Sequence, residues 1–441
     1  MAAGTQGKLM KLKNIGRAVL ATALSLGIGL GATACSRDYT VAYVYAISQS
    51  TGAVGAFAVD FQSGALTQIN GSPFTASGSN PVPVAVVAAP SGKFIYVVNN
   101  FTSSIEVYAV GTDGKLYGQS TPSTVGSFPT SATIDSTGSF LYVTVQLQQG
   151  FTTASPGKGG LDVFPINAST GALGTPTLVP VGNNPVSVAV SAPFCATTSS
   201  LNSANPACTG SNGAGHDSVF VYVLDQEGST TQPTATPSIL GFTENMSTGG
   251  LTLLSGSTCT TVASSICTGY AAGVVPTGIA VEPTTRYVYV TDSNTNQILG
   301  YQIANNTTGN LSGLVSSPTS TGLFPKALTI DPRGKFLLTA NYNSSTISSY
   351  TISPADGSLS GVAGTSAATT ATGPTCVTIE PALGIYVYTS DLISGELSGE
   401  QMNPSTGALT GIINTPFPTS ALPSCVVAVA NGAHAQSIVN P

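Results

Sequence analysis

Charge is what this 441-residue chain lacks. Asp, Glu, Lys and Arg make up only 7% of it, against about 25% in an average soluble domain. Histidine occurs twice, as His216 and His434. Ser, Thr, Asn and Gly must therefore supply the polar surface and the turns. The chain also has no Cys/His cluster at metal-ligand spacing, no Gly-rich phosphate loop and no nucleophile-elbow motif. Those absences remove the usual sequence signals of zinc, nucleotide and elbow-serine sites. Cations are the scarcer sign, 12 Lys+Arg against 18 Asp+Glu. An acidic surface with so few cations repels phosphate backbones, which excludes nucleic acid as a partner.

Four of those cations, Lys8, Lys11, Lys13 and Arg17, crowd the N-terminus. They precede an uncharged stretch over 18–34 that ends in Ala32-Thr33-Ala34-Cys35. A basic segment, an apolar segment and small residues in that order make an export signal. The pattern resembles a bacterial lipoprotein signal, although Ala32 stands where such signals more often carry Leu. The resemblance implies a signal peptide over 1–34, a lipidated Cys35 with a short tether over 35–39, and contact with the membrane through that lipid. An ordinary cleaved signal or an N-terminal anchor helix is the alternative. Either way the remaining chain, 40–441, is expected outside the cytoplasm at the cell envelope. Without the leader, eight Lys+Arg face eighteen Asp+Glu, a net charge of −10.

Six cysteines remain beyond Cys35, an even number suited to an oxidising compartment. Cys195 and Cys208 bracket a Ser/Asn-rich insertion, and Cys259 and Cys267 bracket a short loop. Cys376 and Cys425 lie 49 residues apart, in Pro-Thr-Cys and Pro-Ser-Cys. These three pairs are expected as disulfides. The insertions over 193–217 and 226–237 read as a disulfide-pinned decoration, with a recognition loop as the alternative.

One phrase recurs along the chain: a proline, a short apolar strand, a tight turn, then an aromatic strand such as Phe94-Ile95-Tyr96-Val97-Val98-Asn99. It opens at Pro83, Pro129, Pro185, Pro276, Pro325, Pro374 and Pro423, at spacings of 46, 56, 91, 49, 49 and 49 residues. A period near 50 with several strands per unit predicts a radial β-propeller. In the unit at Pro83, strand A is expected over 84–89, B over 94–99 and C over 105–110. The turn Thr112-Asp113-Gly114-Lys115 then leads into a short D around Leu116. The third residue of each phrase is small (Ala85, Ser131, Ser187, Gly278, Ala327, Cys376, Cys425), as a crowded central channel requires. The fourth is apolar in every unit, from Val86 to Val426, and suits packing on a neighbouring sheet.

The two ends complement each other. The last phrase supplies only a strand A, whereas the N-terminal region begins with a strand B over 42–47, followed by C (54–59) and D (66–69). The expected fold is therefore all-β, a seven-bladed propeller of four-stranded antiparallel blades. Its ring is closed by N-terminal strands pairing with the C-terminal strand, so no sheet edge is left at the seam.

The strings Tyr96-Val97-Val98-Asn99, Tyr142-Val143-Thr144-Val145 and Tyr289-Val290-Thr291-Asp292 resemble Tyr-Val-Thr-Asn repeats. With the turns Asp331-Pro332-Arg333-Gly334 and Thr406-Gly407-Ala408-Leu409, the chain resembles the lactonase family of seven-bladed propellers. That family includes 6-phosphogluconolactonases, whose sites use Arg and His with a carboxylate. Such residues do not match here one by one: Arg286, Arg333, Lys93 and Lys335 fall in A–B turns, on the face opposite the expected ligand mouth, as do His216 and His434. The B-strand ends near the mouth carry Asp225, Asp292 and Asp391, with Asn99 and Asn341, and Lys326 opens a strand A. The three aspartates are the catalytic candidates, as a base for water or as ligands of a hard cation such as Ca²⁺. Asn99, Asn341 and Lys326 are the ligand-binding candidates. The plainer reading makes Asp and Asn caps of the loop backbone. No cofactor is otherwise expected. The residues favour a monomeric, non-catalytic propeller binding a small molecule, a glycan or a protein at the envelope. The alternative is a lactone hydrolase, more readily on a neutral sugar lactone than on a phosphorylated one.

Overall fold

Alternating apolar residues and Gly-bearing turns fold into seven consecutive antiparallel sheets. The computed structural model describes residues 39–75, 82–119, 121–148, 158–193, 219–226, 236–259, 267–303, 308–362, 368–419 and 422–432. The leader, Cys35, the Cys195–Cys208 pair, His216 and His434 lie outside them. Blade 1 shows the pattern: A Pro83–Ala88, B Phe94–Asn99, C Ser104–Val110 and D Leu116–Gly118, hydrogen-bonded in that order. In several blades strand D is broken, and a second short piece such as Ser123–Thr124 pairs with the start of C.

The seventh blade is composite, as its sequence fragments require. Strands Thr40–Ser48, Val54–Asp60 and Leu66–Gln68 come from the N-terminal side, and Pro423–Ala430 from the C-terminal side. Their junction runs from Ala42 opposite Ala430 to Ile47 opposite Cys425. Cys376 and Cys425 are disulfide-bonded with their Cα atoms 5.0 Å apart, tying the inner strand of blade 6 to that of blade 7 beside the seam. Cys259 and Cys267 are also bonded, across a two-stranded ribbon.

The hydrophobic core is divided into seven clusters, each between two adjacent blades. Fourth-position residues such as Val86, Ile279 and Val426 are buried in them, as the alternation predicts. Five of the seven interfaces carry the same latch. The first aromatic residue of strand B lies against the glycine of the next blade's C–D turn. Two residues on, a tyrosine reaches that glycine's carbonyl. Tyr45 donates its hydroxyl to Gly114 O (2.8 Å), Tyr96 to Gly171 O (3.0 Å) and Tyr289 to Gly357 O (2.7 Å). The latch also crosses into the composite blade, where Tyr388 donates to Gly64 O at 2.6 Å. Glycine is required at this turn for two reasons. Gly114 has φ +75°, and a Cβ there would meet the Tyr43 ring at 2.4 Å. Two interfaces differ. The buried hydroxyl of Tyr142 has no such bond and has Glu244 as its electrostatic neighbour. Between blades 5 and 6 strand B carries Leu338, so Ser349 donates to Gly407 O (2.8 Å) instead.

A second regularity sets the channel. In every blade the pairing of strands A and B shifts register at the residue after the proline: Pro83 faces Asn99 while Ala85 faces Val98, and so on around the ring. The second residue of each phrase is thus the extra residue of a β-bulge. A bulge re-aims the side chain that simple alternation would have turned the other way.

Candidate functional site

The inner strands surround a central channel of about 690 Å³. Alternation alone predicts that third-position residues line it. The second position, at the bulge, lines it as well (Val84, Thr130, Val186, Thr277, Lys326, Thr375 and Ser424), as do fourth-position residues such as Val86 and Leu328. Around the mouth stand the residues that follow the B strands, Gln49, Asn100, Gln226 and Leu392.

Most of these polar groups stitch the ring together. Thr130 donates to Pro185 O (2.7 Å), Thr277 to Pro325 O (2.7 Å), Thr375 to Ser424 O (2.9 Å) and Ser424 to Pro83 O (2.9 Å). Where the second position is valine, the neighbouring amide takes over. Asn100 donates to Pro129 O (2.8 Å) and Gln226 to Pro276 O (2.6 Å). Six of the seven blade junctions are bridged in this way. The junction of blades 5 and 6 is not, and there the bulged residue is Lys326.

Lys326 is the charged side chain that lines the channel among the described residues. Neither of the two ion pairs found among them, Lys115–Asp113 and Arg333–Asp331, involves it. Burial pushes its ammonium below the ordinary lysine range, because removal from water disfavours the charged form. The channel therefore holds one uncompensated cation set among hydroxyls and amides, an arrangement suited to a carbonyl oxygen or a single carboxylate.

The three aspartates are placed elsewhere. Asp225 accepts the backbone N–H of Asn183 (3.2 Å) and of Asn184 (2.8 Å). Asp292 accepts those of Val274 (2.7 Å), Val275 (3.0 Å) and Asn294 (3.1 Å). Burial alone would raise the Asp292 carboxyl, but these amides and the Thr295 hydroxyl hold it below the usual range. Asp391 accepts the hydroxyls of Ser398 (2.7 Å) and Thr389 (3.0 Å), and burial pushes its carboxyl up to about 7. All three are buried and none lines the channel. Asn99 and Asn341 are buried as well. Asn341 donates to Ser348 Oγ at 2.9 Å and Asn99 to Glu106 Oε1 at 3.2 Å. Asp225 and Asp292 thus cap loop backbone, whereas Asp391, Asn99 and Asn341 bond side chains of their own blade. Among the described residues no three His, Cys, Asp or Glu side chains converge as metal ligands.

The A–B turn cations do stay on the opposite face. Arg333 donates to Leu383 O (2.6 Å) and Gly384 O (3.1 Å), and Arg286 to Pro354 O (2.7 Å). Sequence reading singled out Lys326 but missed its hydroxyl neighbours, although the dipeptides Pro129-Thr130, Pro276-Thr277, Pro374-Thr375 and Pro423-Ser424 are plain in the sequence. The signal was there; the bulge that gives it meaning was not.

Comparison with known proteins agrees with this architecture. Residues 38–190 and 236–379, more than half of the chain, match the family profile described as "Lactonase, 7-bladed beta-propeller". The fold is similar to that of the periplasmic gluconolactonase of Pseudomonas aeruginosa (17% identity, TM-score 0.60, covering 89% of this chain and 99% of that one). It is similar also to a candidate 6-phosphogluconolactonase of Bacteroides fragilis (16%, 0.61, 89% and 99%). A protein of Lactobacillus plantarum aligns as well (15%, 0.59, 88% and 99%). At such identities the likeness is one of fold. No curated protein sequence matches the chain.

Proposed function

Because the chain belongs to the lactonase family of seven-bladed β-propellers, we propose that it is a lactone hydrolase whose site is the channel around Lys326, acting on a neutral sugar lactone. The observation that carries this is Lys326 itself, a cation facing the channel without a carboxylate partner, at the bulge where the other blades close a bridge. In the reaction, water adds to the lactone carbonyl carbon, the carbonyl oxygen gathers negative charge, and the ring C–O bond breaks to leave a hydroxy acid. The Lys326 ammonium would donate to that oxygen as its charge grows and then hold the new carboxylate. A preorganised cation aimed at the oxygen where charge develops lowers the barrier of such a step. The attacking water would release one proton to the solvent at the open mouth, and the departing ring oxygen would take one from that solvent to become the hydroxyl. One cation suits a neutral lactone better than a phosphorylated one, whose dianion would find a single counter-charge.

The protein is further proposed to work as a monomer at the cell envelope, anchored through a lipid on Cys35. The basic and apolar leader, the two disulfides and the periplasmic location of the Pseudomonas relative support that location. A non-catalytic binding propeller is the second reading. It is favoured by the aspartate carboxylates, all committed to backbone amides or hydroxyls.

The test is hydrolysis of glucono-1,5-lactone and its 6-phosphate by the purified protein, beside Lys326→Met. A hydrogen bond to a charged group is worth about 1.5–3 kcal/mol, so kcat/KM on the neutral lactone should fall by roughly 10- to 150-fold. Turnover no faster than the spontaneous rate would leave the binding reading. Turnover that Lys326→Met does not alter would move the site out of the channel.

A further inference from the structure

A separate cleft of about 270 Å³ opens on the mouth face between blades 4 and 5. Its apolar walls are Val275, Leu323 and Phe324, and its polar rim is Asn294, Asn296 and Asn343. It adjoins the channel, because Val275 stands two residues before Thr277 and Phe324 two before Lys326, on the two inner strands of that sector. The Leu323 side is exposed (56%), as is much of Val275 (37%).

The walls of the cleft are held by loop hydrogen bonds. Phe324 N–H donates to Asn296 Oδ1 at 2.7 Å, and Leu323 N–H to Ser344 Oγ at 3.1 Å. The carbonyls of the same two residues receive the N–H groups of Tyr342 (2.9 Å) and Asn343 (3.1 Å). The facing wall is fixed by Asp292, which holds the N–H groups of Val274 and Val275. Phe324 has φ +56°, as Val82 and Phe128 have φ +49° and +54° at the same position before their prolines, a conformation that turns its ring onto the cleft at some backbone cost. Phe324 also lies beside Tyr342, with ring centroids 6.0 Å apart. By contrast, the side-chain amides of Asn294 and Asn343 have no hydrogen-bond partner among the described residues.

Apolar walls with two free carboxamides on the rim match one kind of ligand surface. A sugar ring has C–H faces for Leu323, Val275 and Phe324, and an equatorial fringe of hydroxyls that both donate to and accept from an amide. A bare alkyl chain would fill the same walls but desolvate the amides with nothing in return, at about 1–3 kcal/mol each. The volume equals that of about nine liquid waters, room for one ring and not for a chain of them. We propose that this cleft is a glycosyl subsite, so that the substrate is an aldonolactone carrying a sugar substituent, with the lactone at Lys326 and the substituent between blades 4 and 5. The inference rests on the lactone-hydrolase reading for its chemistry but not for its binding. The reaction class that supplies such a substrate is oxidation of the reducing end of an oligosaccharide at its anomeric carbon.

The test compares cellobionolactone with glucono-1,5-lactone, and cellobionate with gluconate, on the full chain and on Leu323→Ser and Asn343→Ala. Two added hydrogen bonds at about 1 kcal/mol each predict a preference of roughly 10- to 30-fold for the glycosylated lactone in kcat/KM. Each substitution should lower that ratio toward one. Equal kcat/KM for the two lactones, or an unchanged ratio in both variants, overturns the subsite. If neither lactone is turned over, calorimetric binding decides. Tighter cellobionate than gluconate, lost in the variants, keeps the subsite and removes the hydrolase; equal affinities overturn the subsite itself.

Discussion

Replacing Gly114 by alanine tests the inter-blade latch at a single atom. The perturbation has two parts. At φ +75° an L-residue bears a backbone penalty of about 1–2 kcal/mol. The new Cβ would also stand 2.4 Å from the Tyr43 ring and 2.5 Å from Ile69 Cδ1, both in the core between blades 7 and 1. Overpacking of that kind costs about 1–3 kcal/mol. Gly395 provides the control: its φ is +74° and no atom lies within 4 Å of the added Cβ. Gly395→Ala should therefore lose only the backbone share, about 1–2 kcal/mol, and Gly114→Ala about 2–5 kcal/mol. The assay is urea unfolding followed by far-ultraviolet circular dichroism, reading the midpoint at constant m. Equal midpoint shifts in the two variants would mean that the aromatic residue does not press on the turn, and the account of how adjacent blades lock would fail.

Three further outcomes are expected. Burial pushes the carboxyl of Asp162 up to about 6 and those of Glu244, Asp391 and Glu400 up to about 7. The unfolded chain releases these protons near pH 4, so between about pH 4 and 7 the folded state binds more of them and stability falls as pH rises. The urea midpoint should be higher at pH 5 than at pH 8, and Glu400→Gln should shrink the difference; a midpoint that rises with pH refutes the reading. Asp292 behaves oppositely. Its depressed folded pKa adds stability above about pH 4 that is lost as pH falls through the folded value. Asp292→Asn should cost about 1–3 kcal/mol at pH 7 and little in acid, whereas lost turnover with an unchanged midpoint would make Asp292 the base. Removing the Cys376–Cys425 bridge in the double serine variant frees a 49-residue loop and should lower unfolding free energy by up to about 4 kcal/mol. An unchanged midpoint would mean that the bridge does not latch the ring.

The alternation of the phrases was enough to count the blades, to pair Thr40–Ser48 with Pro423–Ala430 and to join Cys376 to Cys425. The A–B turn position of Arg286 and Arg333 was legible too, because a turn between two strands has only one face to occupy. Each of these rests on local pattern: period-two burial, Gly at positive φ, and a repeat length that leaves one arrangement for the ends. The work of Asp225, Asp292 and Asp391 was not legible. A carboxylate at a strand end reads alike whether it faces a substrate or a loop, and the N–H groups of Asn183, Asn184, Val274 and Val275 that occupy two of them come from the D–A loops, 17 to 42 residues earlier in the chain.

The second position of each phrase marks the division most clearly. Sequence alone made the repeat, the small third residue and the apolar fourth, because regular pairing obliges side chains to alternate. Only the tertiary structure inserted a bulge after each proline, and with it turned Thr130, Thr277, Lys326, Thr375 and Ser424 into the channel. A bulge is a property of two strands paired in space, so one strand's residues do not announce it. The shift falls at Lys326 itself, the charged residue that lines the channel among those described.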